Sequence, residues 1–530
     1  MEDDTDGAFH DATPTPPGPD LISGLPAELK YMVVSKITNK KDLSNLCLMS
    51  KTWNDVAQPA LWHAFEIPIY GRKKSHRLLD ALANPACIPA KHIRRIRLSS
   101  IYYCHQSLEK QIWETLGLIS LNSLAEFCAE DVPSFRIFEI LKNQSRLTDL
   151  TVKNLEVEGE HGTPDIRTQL HQELALQNLY FASELHSKTE NVDEEFSAII
   201  PIIMKSPRLQ KLSINITKYY DGPLTFPASV FNRLFMSSRS TPITELRLKG
   251  IDLTKVNHSD LTTLSFDALR VLHLEECTST APLLDSLAAM HRQLQEQKSQ
   301  AKLEAFAYVT PQHDKPEWPT LRSSLKRFLS SFSSLHRLTI VCRDDDYTWL
   351  GFELFELHAS TLEFLLFESE AYPLEDLKLI CTHCEHIEQL GMPLPDTSDE
   401  PKDNQIHYEN DEIPSYLKQL ARLPKLHTLR ITSGDYLRYL NDSALARSCL
   451  LDLIRHGSKI QVCAVLLVSP FENCDYPVYC RVPARRDADG CTGEAKVVKV
   501  EYGDANLDLE KTSILGDYHP EEWDVHFKPL

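Results

Sequence analysis

Glycine is scarce in this chain, with 17 in 530 residues. Loops that wrap phosphates need a residue without Cβ at the point of closest approach. None of the spaced motifs GxGxxG, GxxxxGK[ST] or GxSxG is present, so neither a nucleotide cradle nor a nucleophile elbow is indicated. Long apolar runs are missing too. No stretch reaches the roughly 18 residues a membrane-spanning helix needs, and no span is expected. The opening MEDDTDGAFHDATPTPPGPD has neither the basic start nor the apolar stretch of a secretory signal. It reads as a disordered acidic, proline-rich tail over residues 1–20. Positive charge is in deficit: 56 Lys plus Arg stand against 75 Asp plus Glu, a formal net charge of −19. That balance argues against broad electrostatic capture of nucleic acid or of a membrane surface. The densest basic run, Lys91-His92-Ile93-Arg94-Arg95-Ile96-Arg97, divides between the two faces of a strand and reads as a solvated edge. The 13 cysteines are odd in number and scattered. They suit free thiols in a reducing cytoplasm or nucleus rather than a disulfide framework.

The richest stretch is LPAELKYMVVSKITNKKDLSNLCLMSKTWNDVAQPALW, residues 25–62. Pro26 is tolerated at a helix start, where no interior N–H is needed. Behind it Leu29, Val33 and Ile37 recur every four residues as one apolar stripe. Asp42 and Ser50 each precede a further periodic run, where N-caps belong. The pattern predicts three short helices in about 40 residues, too few to bury a full core alone. Some of their apolar surface therefore awaits a partner.

After residue 90 one phrase returns: apolar, two variable, apolar, one variable, apolar. Clear copies are Leu147-Leu150-Val152, Leu209-Leu212-Ile214, Ile243-Leu246-Leu248, Leu269-Leu272-Leu274, Leu335-Leu338-Ile340 and Leu426-Leu429-Ile431. Weaker ones are Ile93-Ile96-Leu98, Leu124-Phe127-Ala129, Leu176-Leu179-Phe181, Leu303-Phe306-Tyr308, Leu362-Leu365-Phe367 and Ile387-Leu390-Met392, with a faint last copy at Ile460-Cys463-Val465. A period of roughly 30 residues signals a repeat array. The last two apolar positions have strand spacing. The intervening residues 282–300 and 322–332 have helical spacing. An irregular α/β domain with a mixed sheet is the alternative. Beyond residue 470 the phrase dissolves, and KVVKVEY alternates like an exposed edge strand in a C-terminal cap.

Two resemblances follow. Leu25, Pro26, Glu28 and Leu29, then Asp42, Leu43, Leu46, Ser50, Lys51, Trp53 and Leu61-Trp62 resemble the F-box. The repeat phrase resembles the leucine-rich repeat, although the Asn or Cys that usually turns the chain after each strand is mostly missing; Cys277 and Cys342 come close. The combination looks like the fungal-type F-box/leucine-rich-repeat group. It implies an α/β protein: a three-helix F-box over 21–66, a helical connector over 67–90, a curved leucine-rich-repeat-like solenoid over 91–469 and a cap over 470–530. Parallel strands would line the concave face and helices the convex face.

It also implies a substrate-recognition subunit of a Skp–cullin–F-box ubiquitin ligase. Leu25, Pro26, Leu29, Leu43, Leu46 and Trp53 would meet the Skp-type adaptor, and through it the cullin. A client protein would lie on the solenoid. No catalysis, cofactor, nucleic acid or membrane is called for. The rivals are a scaffold without a ubiquitylation role, and a metal protein or enzyme using Cys474, Cys480 and Cys491 with His519. Cys381, His383, Cys384 and His386 in CTHCEH lack the second ligand pair of a zinc finger and read as buried thiols at a helix end.

The residue between the last two apolar positions of each phrase points to the opposite face. That row contains Arg97, Tyr180, Arg247, His273 and Arg430 and no acid. It predicts a neutral-to-basic strip suited to an acidic or phosphorylated client segment.

Overall fold

The computed structural model describes residues 24–37, 39–67, 76, 79–80, 82, 91–98, 106–156, 172–185, 199–218, 224–225, 227–235, 241–254, 266–297, 302–310, 318–342, 351–354, 356–368, 372–395, 412–433, 442–467, 478–482, 496–500 and 514. The chain divides into two compact units, Met1–Thr151 and Val152–Leu530.

In the first unit, helices α1 (Ala27–Val34), α2 (Lys40–Met49) and α3 (Lys51–Leu61) lead into strand β1 (Ala64–Ile67). Strands β2 (Arg95–Leu98) and β3 (Glu126–Pro133) follow, with α4 (Gln106–Gly117) between them and α5 (Ser134–Asn143) after them. β1, β2 and β3 are parallel, with Phe65, Ile96 and Phe127 in one row. Two expectations change here. The stretch 64–66, predicted to close the three-helix segment, forms most of strand β1; of the predicted helical connector over 67–90, residue 67 ends that strand and the described residues 76, 79, 80 and 82 are helical. And β2 is no edge, because β1 pairs with it. The division between the units falls inside β4 (Asp149–Glu156), within the stretch predicted to be one array.

The second unit carries β5 (Asn178–Leu185), β6 (Lys211–Lys218), β7 (Leu224–Thr225), β8 (Glu245–Lys249), β9 (Ile251–Asp252), β10 (Val271–Glu275), β11 (Ala305–Val309), β12 (Arg337–Val341), β13 (Phe364–Glu368), β14 (Gln389–Pro393), β15 (Thr428–Ser433) and β16 (Val462–Leu467). Between them lie α6 (Ala228–Phe235), α7 (Thr280–Glu296), α8 (Trp318–Leu329), α9 (Leu374–His383), α10 (Glu412–Leu420) and α11 (Asp442–Arg455). Except for the short β7–β9 pair, each strand lies beside its sequence neighbour and parallel to it. β17 (Val478–Val482) and β18 (Lys496–Val500) close the sheet antiparallel, so the KVVKV alternation does occupy an edge.

Every repeat phrase read from the sequence falls on one of these strands, and neighbouring copies pair in phase: Leu246 with Leu272, Leu272 with Phe306, Phe306 with Leu338. The step between strands has its own signature. One carbonyl just before each strand accepts two successive N–H groups of the next copy. Thr244, Arg270, Glu304, His336, Glu363, Glu388 and His427 do so at 2.8–3.2 Å, and His63, Arg94 and Ala125 do the same in the first unit. The Cys277 thiol donates to the Leu248 carbonyl across one such step at 3.3 Å. At Gly250 (φ 65°) a Cβ would sit 2.1 Å from the Ile216 carbonyl oxygen, so that turn admits only glycine.

The phrase positions form the helix-side core. Phe306 meets Phe328 of α8 edge-on at 5.0 Å, and Phe328 contacts Phe332 at 5.3 Å. Two buried histidines serve this layer as neutral polar pins. The ring of His358 is fully buried; Nδ1 accepts from Leu335 N–H at 3.3 Å and Nε2 donates to the Leu329 carbonyl, the last of α8, at 3.0 Å. His291 lies 3.1 Å from Ser331 Oγ, whose single proton goes to the Phe328 carbonyl, so His291 Nδ1 is the donor of that bond.

Burial pushes the His291 imidazole down from its ordinary 6.5 to about 4. The unfolded chain therefore takes up the proton first as pH falls. Stability from this group is complete above about pH 6.5 and is lost toward pH 4, on the order of 3 kcal/mol in total. His291→Phe, which keeps the ring packing against Phe328 and Phe332, is expected to flatten that part of the slope. Thermal midpoints of both chains at pH 7.5 and pH 4.5 check it, since the gap between those midpoints should narrow in the variant.

Candidate functional site

The three N-terminal helices form their own cluster. Pro26 occupies the position before α1 with φ −52° and ψ 151°. Ser50 caps α3, accepting from Trp53 N–H at 3.3 Å, as its place before the apolar run predicts. The cap of α2 is Asn39, accepting from Lys41 N–H at 2.9 Å; Asp42, predicted for that role, sits in the first turn and there complements the helix dipole. Val34, Leu43, Trp53, Val56 and Ala57 make the buried centre, with Leu25, Ile37, Leu46, Cys47, Ala60 and Leu61 packed half-buried around it.

α1 is arranged the reverse of a solvent-facing amphipathic helix. Its inward positions are Lys30, 4 % exposed, and Val34. The Lys30 ammonium donates to Thr52 Oγ1 at 2.9 Å and lies 5.5 Å above the centre of the Trp53 ring. Its outward positions are Leu29, Tyr31, Met32 and Val33, 43–64 % exposed, and α2 adds Leu48 and Met49 at 84 % and 54 %. The stripe Leu29-Val33 thus faces solvent rather than the bundle.

Of the six residues predicted to meet an adaptor, Pro26 and Leu29 are exposed and Leu25 and Leu46 half-buried, while Leu43 and Trp53 lie in the interior at 4 % and 1 % exposure. Leu43 and Trp53 are corrected to fold-holding residues, because a side chain closed within its own bundle offers no area to another chain. Tyr31, Met32, Leu48 and Met49 were not singled out in the sequence. Their signal is a surplus of large apolar side chains over what a bundle this small can enclose.

In the first unit, Arg97 is exposed on β2. In the second, the row opposite the helices is less open than predicted. Tyr180 is buried at 5 % exposure. Along β6, β8 and β10 three cations face carboxylates, Lys211 to Glu245 at 3.3 Å, Arg247 to Glu245 at 2.6 Å and Lys249 to Glu275 at 2.8 Å, and the His273 imidazole stands 3.6 Å from Glu275. Burial alone would raise the Glu245 carboxyl, but Arg247 and Lys211 outweigh it and hold it below the ordinary range. Burial takes the His273 imidazole down to about 4 against the pull of Glu275, so it is neutral at pH 7. The predicted basic strip is here an internally matched charge ladder. The acids that match it flank the row on the same face.

Arg430 departs furthest from the prediction. It is 1 % exposed, its Nη2 is 2.8 Å from Glu368 Oε1, and its Nη1 donates to the carbonyl of Ile514 at 2.7 Å. A guanidinium enclosed in this way cannot hold a client in this state.

Cys381 and Cys384 are buried, and burial pushes both thiols up to about 12, far from the thiolate form that binds metal. No group of three or more potential metal ligands occurs among the described residues. Cys474, Cys491 and His519 lie outside the described residues, as does the side chain of Cys480. No helix among the described residues is long and apolar enough to cross a membrane.

The two apolar populations of the bundle separate experimentally. Leu43→Ala is expected to cost about 2–5 kcal/mol by leaving a cavity. Met32→Glu with Leu48→Glu should leave the unfolding midpoint unchanged or slightly raised, since both sites are exposed. Chemical denaturation of the two variants beside the parent chain reads both. No protein-family model matches the chain, and no curated protein matches it.

Proposed function

We propose that this chain is the substrate-recognition subunit of a Skp–cullin–F-box ubiquitin ligase. The helices over 25–62 dock on the Skp-type adaptor, and the strand repeats hold a client protein in the cytoplasm or nucleus. The observation that carries this reading is the inverted α1, which encloses a lysine while leaving leucine, tyrosine, methionine and valine in water. Covering a large apolar side chain contributes about 1.5–3 kcal/mol. The outward faces of α1 and α2 therefore offer the kind of compact apolar patch on which obligate partners settle. The residues that resemble the F-box are the ones that build this bundle, and the strand phrases that resemble a leucine-rich repeat provide a surface distinct from it.

The mechanism is proximity. Joining a client to the adaptor, and through it to the cullin, raises the effective concentration of client lysines near a ubiquitin-charged enzyme, and no bond is made or broken by this chain. Arg97 and the rim of the charge ladder at Arg247 and His273 remain the proposed client contacts. The pairing of Arg247 with Glu245 and the neutral ring of His273 favour recognition by shape and hydrogen bonding over bulk attraction of an acidic segment.

A pull-down of purified Skp-type adaptor tests the docking half. The parent chain should retain it, and Met32→Glu with Leu48→Glu should weaken retention at least tenfold while the chain stays folded. Leu25→Ala with Pro26→Ala should weaken it as well. Full retention by both folded double variants overturns the proposal. Recruitment of the cullin to the same complex separates a ligase subunit from an adaptor-binding scaffold.

A further inference from the structure

On the face of the second unit's sheet away from the helices, strands β8, β10, β11 and β12 alternate between buried and half-buried residues, while β13 and β14 are buried at every position. Residues covering the exposed side of those two strands must come from elsewhere, and one is Ile514, itself fully buried. Its N–H donates to Gln389 Oε1 at 2.9 Å, and its carbonyl accepts from Arg430 at 2.7 Å. Its Cδ1 lies over Gly391, where an added Cβ would come within 3.2 Å of it and 2.3 Å of Leu366 Cδ1. The three strands set this up by register: Leu366, Gly391 and Arg430 stand side by side, so the missing side chain at 391 makes the hollow. Glu368 aligns the guanidinium that forms one wall.

We propose that this hollow is a peptide-recognition site for an aliphatic residue of a polypeptide segment, and that Ile514 occupies it as an internal competitor. Three features point to recognition rather than ordinary core. The polar contacts are to the main-chain N–H and C=O of Ile514, groups that every peptide carries, and the side-chain contact asks only for a branched aliphatic. The occupant comes from far along the chain, 84 residues after Arg430 and 125 after Gln389. And an enclosed arginine–carboxylate pair is an inefficient way to stabilise a core, since well-packed apolar residues serve as well or better, whereas a fixed guanidinium is an efficient donor to a peptide carbonyl. The partner is a polypeptide that presents Ile, Leu or Val with its main-chain N–H and C=O free to pair. It must displace Ile514, whose tether gives it an effective concentration on the order of millimolar. This site goes beyond the ligase-subunit reading and stands without it, because peptide uptake requires no adaptor.

The test uses full-length chains and a fluorescent peptide of residues 508–520, DLEKTSILGDYHP. By anisotropy, Ile514→Asp should bind the peptide at least tenfold more tightly than the parent chain, whose own segment competes. Adding Gln389→Met, which removes the acceptor at nearly constant volume, should reverse that gain, and a peptide with Asp in place of the isoleucine should not bind. If Ile514→Asp loses its cooperative melt, Ile514→Ala takes its place with the same expectation. Equal binding by parent and variant, no binding by the variant at millimolar peptide, or a gain insensitive to Gln389→Met overturns the proposal. Adaptor retention measured on the same preparations keeps the two hypotheses apart.

Discussion

A parallel sheet has two faces and tolerates solvent poorly on either. Each repeat supplies one strand in phase with the last, so identical positions line up and each face is decided a row at a time. The row carrying Leu246, Leu272, Phe306 and Leu338 is closed by helices. Nothing in the phrase itself closes the other row, and the second unit answers differently along its length. At β6 to β10 carboxylates and cations neutralise one another in a ladder of contacts between 2.6 and 3.3 Å. At β13 to β15 a glycine hollow takes an isoleucine from later in the chain. Both solutions leave backbone and charge satisfied, but only the second uses a group that another polypeptide could imitate.

The N-terminal bundle follows the opposite logic. Three short helices enclose one tryptophan and a few aliphatic residues, and a bundle of this size cannot hide more. Lys30 shows how the limited interior is used. Its stem packs inward and its ammonium finds Thr52 and the Trp53 ring, so a charged residue takes a place an aliphatic one could have filled. The displaced apolar residues stand outside. In an isolated bundle this trade lowers stability and solubility together; with a partner across α1 and α2 it becomes complementarity.

These physical differences explain what could and could not be seen in the sequence. The strand phrase was legible because its three apolar positions repeat a constraint that every copy shares, and each copy, down to Ile460-Cys463-Val465, lies on a strand. The short β1 escaped although Trp62, Phe65 and Ile67 carry the whole phrase, because Trp62 also reads as the close of the third helix. The apolar stripe Leu29-Val33 was legible as a stripe but not as an outward one: helical periodicity gives spacing, and only packing against Trp53 decides which side turns in. Among the predicted client contacts, Arg247 and His273 stood in the right row. Their state did not show: Glu245 pairs with Arg247 from two residues away on the same strand, and His273 is held neutral by burial that only packing decides. Arg430 and Ile514 lie beyond any sequence argument, since a contact 84 residues long rests on the register of three strands and one absent side chain.

Charge at long range and charge at contact also separate in this molecule. With a net charge of −19 the whole chain repels acidic proteins at a distance, and Arg247 and Arg430 are already matched at 2.6 and 2.8 Å. Long-range steering toward an acidic client is therefore weak, and an added carboxylate would have to break an existing pair to form its own. Discrimination on such a surface comes from shape, from hydrogen bonds to main-chain groups and from apolar fit. The Gln389–Gly391–Arg430 hollow makes contacts of that kind with Ile514: one acceptor, one donor and an aliphatic side chain lying over the glycine.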